Sequence, residues 1–550
     1  MRRLLVAALT ATLVLAAILA ARTETTSAAA ATTLTVAIPG SFAGCDPSST
    51  STTDATDAVL GLVLPSAFTV GPLTTPVGDT FVVAQAEVVR LSPQTVVYTI
   101  APGVTWPGGR AFSAADLVRT WQERRGDAVL ADLGYRAIAS MHSNAAGTQV
   151  TVVFRAAYSD WESLFNLVVP HGTHGAACRL PSDAMDPSIG PYRIASATST
   201  SIRLVANPLW TGAAPAYSRV LITTDPAAPA TGATRAAFLP NPTVAQLQAL
   251  TATGSYTSRI QHSTAIVSVD FAVRGPDALA PSVRGALARF VDRAAILSRY
   301  VTPVDYTVAP EVSHLLGQGE AGYTGAPGVP VAQATPPPAP VPGASGPDAY
   351  GATADPSVAD AMLRSDGYAK TADGWLTPQH EPFVVCLAAP SADPSLAPIA
   401  TSVATQLAAQ GVRVASRRVP TDQAAAELLR AGGCTAAVDV RTGDGFITHR
   451  AASWLAPDVP IPADLQWTGV DDPVAEADAA QATAVLNPVE AQPAWNAMDA
   501  RLWDLMASLP LYSPSAYEAW SSTIAGVVPC TSAAAFIAQI PTLLPASTKP

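Results

Sequence analysis

The stretch "PHGTHGAAC" places His171, His174 and Cys178 within eight residues. Two imidazoles and a thiolate are the donor types that zinc and copper take. The same spacing describes an exposed loop whose cysteine pairs elsewhere, Cys45 being one candidate, and no metal is expected. The five cysteines, Cys45, Cys178, Cys386, Cys434 and Cys530, fit one or two disulfides with at least one thiol left over. Cys386 in "FVVCLAA" and Cys434 in "CTAAVDV" both fall on runs that read as buried strands. That pair could lie side by side or remain as two buried thiols. HExxH, GxSxG and CxxC are missing, so the commoner zinc-protease, α/β-hydrolase and redox signatures do not apply. "GQGEAG" satisfies GxGxxG formally, but no strand precedes it and no helix follows, so it is not read as a dinucleotide site. The two lysines, Lys370 and Lys549, do not follow glycine, which excludes a phosphate loop. No enzyme and no cofactor are expected.

These residues must be positioned by a large chain. At 550 residues and 49% hydrophobic, it can bury two or three cores. A formal net charge of −11 argues against a nucleic-acid partner, which would be held by clustered Lys and Arg. Arg2 and Arg3 precede an apolar run over residues 4–21, and small residues such as Ala28 and Ala30 follow, the layout of an export signal. The run is at the low edge of a membrane span, so an uncleaved signal anchor is the alternative, and it would be the only membrane contact. Either way the rest is expected outside the cytoplasm.

Further along, "YTIAPGVTWPGGRAFSAADLVRTW" reads as strand, turn and helix start, with Ser113 and Asp116 spaced as a capping box. "SVRGALARFVDRAAILSRYV" spaces Val283, Leu287, Val291 and Ala294 on one helical stripe. Residues 317–350 are dense in Pro, Gly and Ala and read as a loop without a core of its own. Beyond it, "FVVCLAA", "LAPIATSVATQLAAQ", "VRVASRRV", "TDQAAAELLRA" and "CTAAVDV" alternate strand and helix, which predicts a parallel α/β lobe. A two-lobed chain offers a cleft between its lobes.

Five ordered stretches resemble family 5 extracytoplasmic solute-binding proteins, the oligopeptide and dipeptide receptors of ABC importers. They are the strand-turn-helix unit above; "QVTVVFRAAYSDWESLFNLVVPH"; "SIGPYRI" with "SIRLVANPLWTG"; "PSVRGALARFVDRAAIL"; and "DPSVADAMLRSDGYAKTADGWL". "VLPSAF", "VVYTIAPGVTWPGG" and "GYRAIASMHSNAAGTQVTVVF" resemble the actinobacterial LpqW-like branch, whose implied alternative role is control of mannolipid (lipoarabinomannan) synthesis in the cell envelope. The chain departs from lipoprotein relatives in carrying Arg22, not cysteine, after "LAA", so no lipid anchor is expected there.

The resemblance implies an α/β, two-lobed periplasmic-binding-protein-like fold of class II, cluster C type, with an extra subdomain in the first lobe and a central ligand cleft. The expected layout is a signal over 1–31, lobe I over 32–265 with an insertion near 60–180, lobe II over 266–505, and a return to lobe I over 506–550. A peptide or other small polar ligand and an ABC permease complex are the implied partners, and a monomer is expected. In peptide receptors of this family an aspartate of the second lobe meets the ligand's amino group. The stretch "VDVRTGDGF" offers Asp439 and Asp444 for that role, with Arg441 for a ligand carboxylate and Trp454 and Trp467 for stacking.

Overall fold

The structure is a computed structural model. It describes residues 33–44, 53–126, 133–170, 188–225, 234–252, 256–320, 323, 350–391, 393–420, 422–455 and 469–546. Three sheets organise it. The first has seven strands, in the order Thr257–His262, Ser515–Trp520, Arg235–Pro240, Thr33–Ala37, Arg219–Thr223, Ser201–Ala206 and Tyr192–Ala197. Its centre is parallel, because Thr33–Ala37 pairs in parallel with both Arg219–Thr223 and Arg235–Pro240, and the remaining pairs are antiparallel. The central strand "TLTVA" is buried along nearly all its length, as a strand covered on both faces must be.

The second sheet has five strands, in the order Arg413–Val419, Val384–Pro390, Ala436–Arg441, Ile266–Phe271 and Ser508–Tyr512. Val384–Pro390 runs parallel to both of its neighbours, with the helices Leu396–Ala409 and Asp422–Arg430 as crossovers. This is the alternation read from the sequence, and the helix over 396–409 buries Leu396, Ile399, Ala400, Val403 and Leu407 on one stripe. A disulfide joins Cys386 to Cys434, whose Cα atoms are 4.8 Å apart.

The third sheet is an antiparallel four-stranded unit, in the order Val83–Leu91, Gln94–Ile100, Gln149–Phe154 and Ile138–Ser143. Tyr98, Ile100, Trp106 and Leu117 share its core, so the capped helix Ala114–Arg124 is scaffold. Asp116 accepts a hydrogen bond from the Ser113 backbone N–H at 2.9 Å and pairs with Arg110 at the same distance.

The chain passes between the first two sheets at residues 263–265 and again at 513–514, and the two passages are tied by Ser263 N–H donating to the Pro514 carbonyl at 2.9 Å. Gly319, in the stretch "GQGEAG", packs against the start of the first passage: a Cβ there would stand 2.3 Å from the His262 carbonyl oxygen. The glycine is explained by close backbone approach.

Candidate functional site

Between the end of strand Ala436–Arg441 and the helix Ile447–Trp454, residues 442–446 form a turn that holds Asp444 out from the second lobe. Its side chain is half exposed. One carboxylate oxygen accepts from the Phe446 amide at 2.9 Å, and the other meets His449 Nδ1 at 2.6 Å. Surrounding protein opposes ionisation of Asp444. The His449 charge and hydrogen bond, the Phe446 amide and the Arg450 guanidinium outweigh that and hold the carboxyl below its usual range. Arg450, buried beside the turn, donates to the Thr264 carbonyl at 2.7 Å and pairs with Glu320 at 3.2 Å. Burial pushes the Glu320 carboxyl up to about 7, against the pull of Arg450.

Groups from the first lobe and its four-stranded unit close over this turn. Asp54 opens the helix Asp54–Leu60, whose N-cap Thr53 accepts from the Thr56 amide. The Asp54 carboxyl reaches solvent but has protein around it, and its pKa is raised first by that desolvation and then by the charge of Asp444. Tyr158 places its hydroxyl 3.2 Å from Thr448 Oγ1 and 3.3 Å from His449 Nε2. Asp160 accepts from both the backbone and the hydroxyl of Thr448, at 2.9 and 2.7 Å. Gly445, at φ +90°, backs onto Thr74 of the first lobe so closely that a Cβ would lie 1.9 Å from the Thr74 carbonyl oxygen. Only glycine combines that left-handed backbone with that approach.

The sequence candidates divide sharply. Asp444 lies where the lobes meet. Asp439 and Arg441 do not: both belong to a strand of the second sheet and are buried. The Arg441 guanidinium is paired with Asp270 at 2.5 Å and stacks over the Trp454 ring at 3.4 Å, so a protein carboxylate already engages it. Trp454 is likewise core, donating its indole N–H to the His314 carbonyl at 3.3 Å. Trp467, His171, His174, Cys45 and Cys178 lie outside the described residues. Among the described residues no group of three or more His, Cys, Asp or Glu is placed to hold a metal. Sequence reading passed over Asp54, Tyr158, Asp160, Glu320 and His449. The glycines flanking Asp444 were the one local sign of a tightly packed turn.

Two α/β lobes joined by paired crossings, with polar groups gathered where they meet, define a two-lobed binding protein. The chain belongs to the bacterial extracellular solute-binding proteins of family 5, whose model matches residues 83–458. The oligopeptide-binding protein OppA of Mycobacterium tuberculosis and that of Mycobacterium bovis are each 28% identical over 170 residues, which is 29% of this chain and 29% of theirs. Among solved structures, the fold is similar to the periplasmic EDTA-binding protein EppA, with a TM-score of 0.78 at 20% identity, covering 94% of this chain and 96% of that one. It is also similar to the oligopeptide-binding protein AppA of Bacillus subtilis in complex with a nonapeptide, with a TM-score of 0.72 at 14% identity over 94% and 99% of the two chains. NikZ of Campylobacter jejuni in complex with Ni(L-His) follows at 0.70 and 15%, over 91% and 96%. Among the described residues no helix is long and apolar enough to cross a membrane.

Proposed function

We propose that this chain is the extracytoplasmic solute-binding component of an ABC importer, and that it holds an oligopeptide or related polar solute between its lobes. The observation that carries this reading is Asp444 of the second lobe, half exposed, bound to His449 at 2.6 Å, on a turn whose Gly445 packs against Thr74 of the first lobe, with its charge contributing to the raised pKa of Asp54. Two carboxylates brought together by closure repel, and a ligand's protonated amine between them would relieve both at once. The peptide complexes named among the structural relatives support the ligand class. The family relationship supports delivery to a permease without chemistry on the ligand.

A thermal-shift screen of the full chain tests it, with free tri- to nonapeptides set against their N-acetylated forms. A ligand at a hundred times its Kd should stabilise by about 2.7 kcal/mol. Stabilisation by the free peptides but not the acetylated ones is the expected outcome. Silence across both sets would overturn importer-type peptide binding and leave the envelope-regulator role of the LpqW-like branch as the reading to pursue.

A further inference from the structure

The helix Ile447–Trp454 begins without a cap of its own. Its N-cap position is Phe446, which has no side-chain oxygen, so although the His449 N–H reaches the Phe446 carbonyl, the Thr448 amide finds no side-chain cap beside it in the sequence. The acceptor comes from 288 residues away: Asp160 Oδ2 takes the Thr448 N–H at 2.9 Å and the Thr448 hydroxyl at 2.7 Å. The residues beside Asp160 make the same crossing. Ser159 N–H donates to the Thr483 carbonyl at 2.9 Å, at the end of the helix Pro473–Thr483, and the Tyr158 hydroxyl touches Thr448 and His449.

This segment is held firmly on its own side. The Gln94 side chain accepts from Tyr158 N–H at 2.7 Å and donates to the Tyr158 carbonyl at 3.2 Å. The Tyr158 ring packs so closely on Gly134 that a Cβ there would lie 2.4 Å from it. Three residues of the loop that follows strand Gln149–Phe154, braced by Gln94 and Gly134, therefore grip the start of a helix in the other lobe. That helix carries His449, which in turn holds Asp444.

We propose that residues 158–160 are a closing latch, in which Asp160 is a positioning residue that caps the Ile447–Trp454 helix across the lobes and so sets His449 and Asp444 in place when the lobes close. The latch is independent of which solute is bound. Opening exchanges the cross-lobe cap for water, and closing restores it.

The test compares Asp160→Ala, Asp160→Asn and Tyr158→Phe in the full chain, without added ligand, by hydrogen exchange and small-angle X-ray scattering. Asp160→Ala should speed exchange in the first turn of the Ile447–Trp454 helix and at Ser159 roughly five- to tenfold, the scale of a lost cap, and should raise the radius of gyration. Asp160→Asn keeps an acceptor oxygen and should restore both. Tyr158→Phe, which removes one hydroxyl from a kept core position, should loosen the same sites to a smaller degree. The latch is overturned if Asp160→Ala leaves exchange and radius unchanged, or if Asp160→Asn is as open as Asp160→Ala. Should Asp160→Ala fail to fold, unchanged exchange at Ser159 in Tyr158→Phe contradicts it equally.

Discussion

At the scale of single residues, ionisation decides which carboxylates can act. Asp444 stays charged at neutral pH because His449 and Arg450 outweigh its desolvation, so it is the group able to meet an amine. Asp444→Asn should weaken binding of a peptide with a free amino terminus about ten- to a hundredfold, the worth of one charge-assisted hydrogen bond, as read by calorimetry. Glu320 behaves in the opposite way. Its carboxyl rises from 4.5 to about 7 in the folded chain, so the folded state holds the proton more tightly than the unfolded state. Its stabilising contribution is complete below about pH 4.5 and is lost as pH climbs through about 7. Glu320→Gln stays neutral throughout, so its stability relative to the parent should grow by roughly 3 kcal/mol from pH 4.5 to 8 in denaturant titrations. The stretch "VDVRTGDGF" was legible as a candidate neighbourhood, but the buried Asp439 and Arg441 were not separable from the exposed Asp444 by residue type. The strand ends at Arg441, and where it ends decides which charge is buried and which is presented.

At the scale of elements, local signals were read well where neighbours in sequence are neighbours in space. The capping box at Ser113 and Asp116 and the parallel strands of the second lobe are of this kind. The Cys386–Cys434 disulfide staples the strand Val384–Pro390 to the segment leading into its neighbour Ala436–Arg441, across a separation of 48 residues that contains two helices and an edge strand. A loop of that length restricts the unfolded chain by about 4 kcal/mol. Replacing both cysteines by serine should therefore lower the stability of the second lobe by an amount of that order in chemical denaturation. The turn around Asp444 has a different logic, since Gly445 is shaped by Thr74 of the other lobe. Gly445→Ala should hold the lobes apart, raising the radius of gyration and lowering ligand affinity at least tenfold while leaving each lobe folded, because both a left-handed backbone and a 1.9 Å approach oppose the methyl. "GQGEAG" had no place in a strand-and-helix reading, because Gly317 and Gly319 answer to a crossing segment more than fifty residues upstream.

For the whole molecule, the ordered stretches along the chain carried the fold, since each is a local pattern. The site was much less legible. Asp54, Asp160, Glu320 and Asp444 come from separate parts of the chain, and only the two crossings and the closure of the lobes bring them together. No spacing in the sequence encodes that distance. On the proposed reading, a solute that binds among these groups should draw the lobes together. The most direct measurement is isothermal titration calorimetry of the full chain with a free oligopeptide and with its N-acetylated form, repeated on Asp444→Asn. One saturable site per chain, weakened by acetylation and by the substitution to a similar degree, is the expected result. No saturable binding, or binding indifferent to both changes, would contradict a cleft in which Asp444 receives the ligand's amine.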